Sequence, residues 1–119
     1  GVYWSISLGN PWLETLNYGR HQSSLNGHQA VTDRDGMARF VLSESDPGVA
    51  NWLDTAGHSN GAMLLRCVRT DSAPVPDTRV VPFADVVAAL PADTATTTPA
   101  ERARVIEGRR RAVHERFYR

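Results

Sequence analysis

The most chemically diverse stretch of the chain is NWLDTAGH, residues 51–58. It places an amide, an indole, a carboxylate, a hydroxyl and an imidazole around one glycine, and such groups bind small molecules or transfer protons. The same stretch also suits a rigid corner between strands. Asn and Asp cap turns, and Gly57 permits backbone angles that a turn needs. Trp52 and Leu53 provide large apolar side chains that can be buried. We interpret it mainly as such a corner, which also lines a cleft.

Arg66 is a second residue of chemical interest because it lies in the middle of the apolar run AMLLRCV. A guanidinium group in an apolar strand needs a carboxylate or carbonyl partner, since an unpaired charge is costly to bury. The sequence therefore predicts an Arg66–Asp54 salt bridge that pins the corner to the strand. The alternative is a cleft around Arg66, Asp54 and His58, with Asn51 and Trp52 beside them, that binds an anionic small molecule or a carbohydrate.

Metal binding has weaker support. No pair among the histidines has the tight H-x-x-x-H or H-x-H spacing that makes a metal site specific. His21, His28 and His58 are compatible with a three-point site that Asp54 could join, whereas His114 lies on the C-terminal arm. No metal site is predicted, and we expect structural or solvent-facing histidines.

Covalent catalysis is also disfavoured. No nucleophile motif such as G-x-S-x-G is present. Asp54 could act with Glu44 or Asp46 on a sugar, but all three lie in turn-rich stretches where acidic residues cap the backbone.

The only cysteine, Cys67, excludes an internal disulfide, and its apolar neighbours predict a buried, unreactive thiol. All 13 basic residues are arginine, which excludes a Schiff-base or phosphate-loop lysine in this sequence. The catalytic residues stay unknown, and no cofactor is predicted.

The net charge of zero conceals an uneven distribution. Residues 1–97 contain 6 arginines and 10 acidic residues, a balance of −4, whereas residues 98–119 contain 7 arginines and 3 acidic residues, a balance of +4. We expect the basic arm to dock on its own acidic body or on a second copy. No nucleic-acid partner is predicted, because the body has no basic patch with interleaved aromatic residues. No apolar run approaches the ~20 residues of a membrane span, and no signal-peptide leader is visible, which predicts a soluble, cytoplasmic protein without a membrane partner.

Short strands dominate the first two-thirds of the chain. Val2–Leu8 alternates apolar and polar residues, as a half-buried strand does. The turn sequence DRDG separates two strand-like segments, His28–Thr32 and Met37–Ser43, and predicts a β-hairpin. Ala62–Arg69 is almost continuously apolar and is predicted to be a central strand covered on both faces. The remaining segments are a long ordered loop at Trp12–Asn26, a turn at Asp46–Gly48, a linker at Asp71–Asp77 and a short strand at Arg79–Val81.

Two helices are predicted after these strands. FADVVAAL, residues 83–90, has apolar residues at helical spacing and ends at Pro91. Thr98, Pro99 and Glu101 then form a capping box that starts a helix running to about Tyr118. This second helix has an apolar stripe and an arginine stripe, which consist of Ala103, Ile106, Val113 and Phe117 and of Arg102, Arg109 and Arg116, respectively.

These elements predict a mainly β fold, a small antiparallel β-sandwich with a short helix and a C-terminal helical arm. We divide the chain into a sandwich domain at 1–91, a linker at 92–97 and the arm at 98–119. Because it starts without methionine and a strand follows at once, we expect it to be a piece of a longer polypeptide.

Several segments share a recognisable order: YWSISLGN, SLNGHQAV, a D-x-D-G hairpin, DPGVANWLDTAGHSNGAMLLR and PVPDTRVV. Over about residues 2–81 the chain resembles the bacterial family known as domain of unknown function 1214. The most specific part is N-W-L-D, then Gly-x-x-x-Gly and an apolar strand ending in arginine. The resemblance implies a jelly-roll-like sandwich that forms the C-terminal domain of a longer protein, with the N-terminal region of the parent chain as its partner.

The resemblance implies a fold and a position in a parent chain but no catalytic residue, because the family has no agreed activity. Cys67 and Val68 stand where many members have an aromatic pair, and the arm lies outside the match. We therefore expect a structural, accessory or interaction module whose C-terminal helix docks on the body or on a second copy, the latter giving a homo-oligomer. The alternative is a ligand-binding or catalytic domain that uses the cleft around Arg66, Asp54 and His58.

Overall fold

A computed structural model of the chain describes residues 3–10, 12, 16, 21–58, 60–68 and 76–117. The described residues form two small β-sheets and an α-helix, so the predicted combination of short strands and a C-terminal helix is confirmed, but the arrangement is mixed α/β and not clearly the antiparallel sandwich that the sequence predicts. The elements, in chain order, are β1 (Tyr3–Gly9), β2 (Ser24–Asn26), β3 (Val41–Ser43), β4 (Trp52–Asp54), β5 (Ala62–Val68), a 3₁₀ turn (Phe83–Asp85) and α1 (Pro99–Phe117).

The larger sheet is antiparallel and has the strand order β2-β1-β5. In β1 the predicted alternation is confirmed, since Ile6 and Leu8 are buried while Ser5 and Ser7 are half-buried. Ile6 lies opposite Leu25 of β2 and Leu65 of β5. Ser24–Asn26, predicted as loop, is therefore a strand, and most of the preceding loop lies outside the described residues.

Strand β5 lies at the edge of this sheet within the described part of the chain, so the prediction of a central strand was wrong. Leu65 faces the core, whereas the side chain of Leu64 is 63% exposed. An almost unbroken apolar run is ambiguous because it fits either a doubly covered strand or an edge strand with apolar residues in solvent.

The smaller sheet consists of β3 and β4, which run parallel with Val41 opposite Trp52 and Ser43 opposite Asp54. The predicted turn between Asp33 and Gly36 is present, with Gly36 at a φ of +83°. Its flanking segments do not form the predicted hairpin ladder: residues 27–29 are a turn, and only Val41–Ser43 is a strand.

A cluster of buried aliphatic side chains connects the two sheets. Leu53 of β4, which is 0% exposed, packs with residues of β1 and β2, and the rings of Trp4 and Phe40 meet edge to face at 5.8 Å. The buried members of this cluster are Ile6, Leu8, Leu16, Leu25 and Leu53. Position 53, in the corner singled out from sequence, is therefore at the centre of the core.

Residues 83–90 do not form the predicted helix. A single 3₁₀ turn at Phe83–Asp85 is followed by further hydrogen-bonded turns up to Leu90. The side chains of Phe83 and Val87 are both about half exposed. A short helix needs an apolar face buried against a core, and in this segment Val86 and Leu90 are only half-buried. The short strand predicted at Arg79–Val81 is also absent, and most of the linker at Asp71–Asp77 lies outside the described residues.

Helix α1 begins at Pro99, as the capping box predicts. The Thr98 hydroxyl accepts a hydrogen bond from the Glu101 backbone N–H at 3.2 Å and donates to the Glu101 carboxylate at 2.9 Å. Just before the helix, the Thr97 N–H donates to Gly48, and the Ala50 N–H donates to Ala95, each at 2.9 Å. The division at residues 92–97 stays a prediction, but backbone hydrogen bonds connect this segment to the body. No helix in the described ranges is both long and apolar enough to cross a membrane.

Candidate functional site

The corner at residues 51–58 consists of β4 and a tight turn, and its first residue, Asn51, connects two backbone segments. The Asn51 amide donates to the carbonyls of Val31 at 2.7 Å and Arg39 at 2.9 Å, and accepts from the Val31 N–H at 2.8 Å. Asn51 is 8% exposed. Its side chain pairs with backbone groups of Val31 and Arg39 that would bond to each other's strand in the predicted hairpin. Asn51 therefore replaces the strand pairing that the sequence predicts.

Trp52 is buried between the smaller sheet and helix α1. Its indole N–H donates to the Ser43 carbonyl at 3.1 Å, and the Arg102 guanidinium lies 5.1 Å from the ring centroid. This distance is within the range of a cation–π interaction. The indole N–H and the ring face of Trp52 therefore both have partners within the fold.

Asp54 pairs with a histidine rather than with an arginine. One carboxylate oxygen lies 2.9 Å from Nδ1 of His21, and the other accepts the Ala56 N–H at 2.8 Å. The Asp54 side chain is mostly buried, whereas the His21 side chain is 42% exposed. Asp54 therefore stabilises the turn that follows β4 and orients the imidazole of His21.

The turn after Asp54 has an unusual backbone. Ala56 and Gly57 both have positive φ angles, +52° and +82°. Such angles are rare for a non-glycine residue, so the bond from Ala56 to the Asp54 carboxylate helps to hold the turn. His58 closes it, because its N–H and its Nδ1 lie 3.0 and 3.2 Å from the Thr55 carbonyl oxygen. The His58 side chain is exposed.

The predicted Arg66–Asp54 salt bridge is not formed. Arg66 is exposed, lies opposite Ser5 on the same sheet face as Leu64, and makes no ion pair with any residue that the structure describes. An arginine within an apolar run needs a partner only when it is buried, and an edge strand with one open face leaves the guanidinium in water. Of the predicted site residues, the structure unites Asn51, Trp52, Asp54 and His58 in one corner and places Arg66 apart from them.

Helix α1 docks through two members of its arginine stripe, Arg102 and Arg109. Arg102, which is 5% exposed, donates from Nε and Nη2 to the two carboxylate oxygens of Asp46 at 2.9 and 3.1 Å. It also donates to the carbonyls of Val49 and Ala50. These contacts, with the stacking on Trp52, form what we call the Arg102 latch.

Arg109 lies about two helical turns after Arg102 and also contacts the body. It donates to the carbonyl and the hydroxyl of Ser24 at 2.7 and 2.8 Å, and burial lowers the pKa of its guanidinium. In the apolar stripe, Ala103 is exposed and Ile106 is half-buried. The expected docking of the arm on its own body is thus made by polar contacts.

The Arg102 latch makes stability depend on pH. Desolvation, the largest single influence on the Asp46 carboxyl, raises its pKa, but hydrogen bonds from Arg102 and Gly48 and the charge of Arg102 together lower the pKa below the ordinary 3.8. As the pH falls, the Asp46 carboxyl therefore becomes protonated at a higher pH in the unfolded chain than in the folded chain. We expect the contribution of Asp46 to be complete at neutral pH and to be lost below about pH 4.

Urea unfolding of the wild type and of Asp46→Asn, from about pH 7 to about pH 2.5, checks this expectation. At neutral pH, Asp46→Asn should have a lower free energy of unfolding than the wild type. This difference should decrease as the solution becomes acidic. A difference of constant size over the whole range would contradict the expected titration.

A groove of about 220 Å³ lies beside the corner, where the larger sheet approaches β3. Its lining residues are Leu8, Gly9, Leu16, Leu42, Thr55, His58, Asn60, Gly61, Ala62 and Met63. Of the predicted site residues His58 lines the groove, and Arg66 and Asp54 do not. The cleft that the sequence predicted around all three residues is therefore not assembled.

Sequence reasoning did not predict the contacts of three residues that shape this region. Gln22, almost completely buried, donates to the carbonyls of Ala50 and Trp52 at 3.1 and 2.7 Å. The sequence suggested His21 only as a possible metal ligand beside Asp54, and Arg102 only as part of the arginine stripe. The strongest available signal was the seven-residue arginine spacing on α1. No three His, Cys, Asp or Glu side chains within the described ranges lie together as a set of metal ligands.

The chain matches no protein-family model and no curated protein. It is similar to an uncharacterized protein from Burkholderia cenocepacia. The two share 38% sequence identity with a TM-score of 0.65, over 69% of this chain and 23% of that chain. The chain thus spans about a quarter of the length of that neighbour, and a related fold occurs there within a much longer polypeptide. The resemblance to domain of unknown function 1214 stays a prediction.

Proposed function

We propose that the chain acts as a structural or interaction module of a larger bacterial protein, with no catalytic role of its own. The observation that carries this proposal is the similarity to a segment amounting to 23% of the Burkholderia protein, at 38% identity. A module of this kind contributes a folded surface to the rest of its polypeptide.

The use of the polar side chains in the corner supports this proposal. Asn51, Trp52 and Asp54 are buried, and each makes hydrogen bonds that hold the backbone or a neighbouring side chain. A side chain with its hydrogen-bonding capacity used in this way has little left for a substrate. The amide, the indole and the carboxylate that made the stretch a catalytic candidate therefore serve the fold.

The proposed partner is the remainder of the parent polypeptide, and the proposed contact surface is the outer face of β5. Leu64 and Arg66 lie exposed on that face, and β5 is one of the two edge strands of the described sheet. An exposed apolar edge strand favours contact with another segment. We further propose that the two sheets belong to a jelly-roll-like sandwich and that the module is cytoplasmic. A second copy bound through α1 is the alternative partner.

A chimera tests the module proposal. The segment of the Burkholderia protein that matches this chain is replaced by the matching part of the chain, and thermal unfolding is compared with that of the isolated chain. We expect the inserted segment to unfold together with its host at a higher temperature than the isolated chain. Independent unfolding at the temperature of the isolated chain would contradict the proposal.

Leu64→Asp gives this test a matched control. In the isolated chain the substitution should change stability by no more than about 0.5 kcal/mol, because Leu64 is largely exposed. In the chimera it should lower the unfolding temperature by several degrees, because a charge would enter the covered surface. Equal effects in both contexts would exclude the outer face of β5 as the contact surface.

A ligand-binding role is the second candidate function. It was predicted for a cleft around Arg66, Asp54 and His58, and the groove that contains His58 favours a site nearby. The composition of this groove differs from that of the predicted anion site.

A further inference from the structure

The groove lies in the gap between the two sheets. The C-terminal end of β1 and the N-terminal end of β5 form one wall, Leu42 of β3 contributes from the smaller sheet, and the turn after β4 adds Thr55 and His58. Gaps between packed elements are common positions for small-molecule sites. The position of the groove does not indicate which ligand it binds. The lining residues indicate the class of ligand.

The lining is apolar with a few polar groups. Leu8 and Leu16 are buried, and Leu42 and Met63 are partly exposed, so the aliphatic surface has both an inner and an outer part. None of the described lining residues is an aspartate, a glutamate or an arginine. This described part of the lining therefore favours a neutral ligand over the anionic one predicted from sequence, because none of its residues gives an anion an arginine partner.

The volume limits the size of the ligand. A cavity of roughly 150 Å³ lined by aliphatic side chains accommodates benzene in another protein. At about 220 Å³, the groove is large enough for a benzene ring with one or two small substituents. Larger molecules such as an oligosaccharide would extend well beyond it.

His58 provides a specific hydrogen-bonding group. The Thr55 carbonyl oxygen can only accept, so Nδ1 of His58, at 3.2 Å, carries the hydrogen. In the neutral imidazole, Nε2 is then an acceptor. The Thr55–His58 turn holds the residue in place through the second bond from its backbone N–H. The groove therefore favours a ligand that donates a hydrogen bond.

We propose that the groove binds a small, neutral, apolar molecule that carries one hydroxyl group, of the alkylphenol class. The ring packs against Leu8, Leu42 and Met63, and the hydroxyl donates to Nε2 of His58. Asn60, which also lines the groove, offers a second polar contact.

Titration of the chain with p-cresol and with toluene, followed by amide chemical shifts, tests this proposal. We expect p-cresol to cause saturable shifts confined to residues that line the groove. Toluene, which has a similar size but no hydroxyl, should bind more weakly, by about 3- to 10-fold.

Two variants make the result decisive. His58→Phe should weaken p-cresol binding to the level of toluene and leave toluene binding unchanged. Leu42→Trp, at a partly exposed position on the groove, should block both probes while far-UV circular dichroism stays that of the wild type. Shifts that do not saturate, or equal binding of the two probes to the wild type, would overturn the proposal. Unchanged binding to Leu42→Trp would place the probe elsewhere and would also overturn it. The chimera result is independent of these outcomes.

Discussion

Replacing Arg102 by methionine is expected to lower the free energy of unfolding by about 3 kcal/mol, since loss of one partner from a buried ion pair is strongly destabilising. The variant removes the bidentate bond to Asp46, the bonds to two carbonyls and the stacking on Trp52. Methionine retains much of the aliphatic volume, so the effect reports mainly on the guanidinium. The Asp46 side chain is about a third exposed, which lets water compensate in part.

Urea unfolding at neutral pH measures this effect, and Arg104→Met on the same helix is the matched control. Arg104 is exposed, so its replacement should change stability by no more than about 0.5 kcal/mol. A double-mutant cycle with Asp46→Asn then isolates the contribution of the pair. Equal effects of the two arginine substitutions would show that the Arg102 latch does not hold α1 to the body.

The start of helix α1 was predictable from sequence, but its docking surface was only partly so. The capping box at Thr98 is local, because all of its groups lie within four residues. The arginine spacing marked a distinct helix face, yet nothing local indicates that Arg102 meets Asp46, 56 residues earlier. Docking through arginine is physically reasonable because the body offers carbonyl oxygens, a carboxylate and an indole ring at that point.

The strands show where pattern reasoning is reliable. The alternation in β1 identified its buried face correctly because one face meets the core and the other carries serines. The apolar run of β5 has no alternation, so the pattern contained no information about which residues face solvent. Arg66 was misjudged for this reason, since the number of covered faces is set by tertiary packing.

The corner predicted at residues 51–58 is present, but the contacts predicted for it are in part wrong. The corner at residues 51–58 is central to the fold, and Leu53 within it is completely buried. The sequence suggested His21 and Asp54 together only as possible metal ligands, and it could not predict their direct pairing, because His21 lies in a segment without periodicity and 33 residues away. Local sequence therefore identifies a dense set of functional groups, but distant residues decide what those groups contact.

Replacing Asn51 by alanine is the second substitution with a large expected effect, about 3 kcal/mol of lost stability, because each buried group left unpaired costs about 1–3 kcal/mol. Three backbone groups, on Val31 and Arg39, lose their partner at once. Val31 is partly exposed, so water can replace some of these bonds. Urea unfolding measures the loss, and Asn60→Ala, at an exposed position, should stay within about 0.5 kcal/mol of the wild type.

Asn51→Asp separates the role of the amide from that of its volume. The aspartate keeps an acceptor for the Val31 N–H, but it directs a second oxygen at the carbonyls of Val31 and Arg39, where the amide N–H groups had donated. We therefore expect a loss at least as large as that of alanine, together with slow exchange of the Val31 amide in the fraction that stays folded. If Asn51→Asp is as stable as the wild type, the amide does not replace strand pairing between these segments, and another interaction must hold them together.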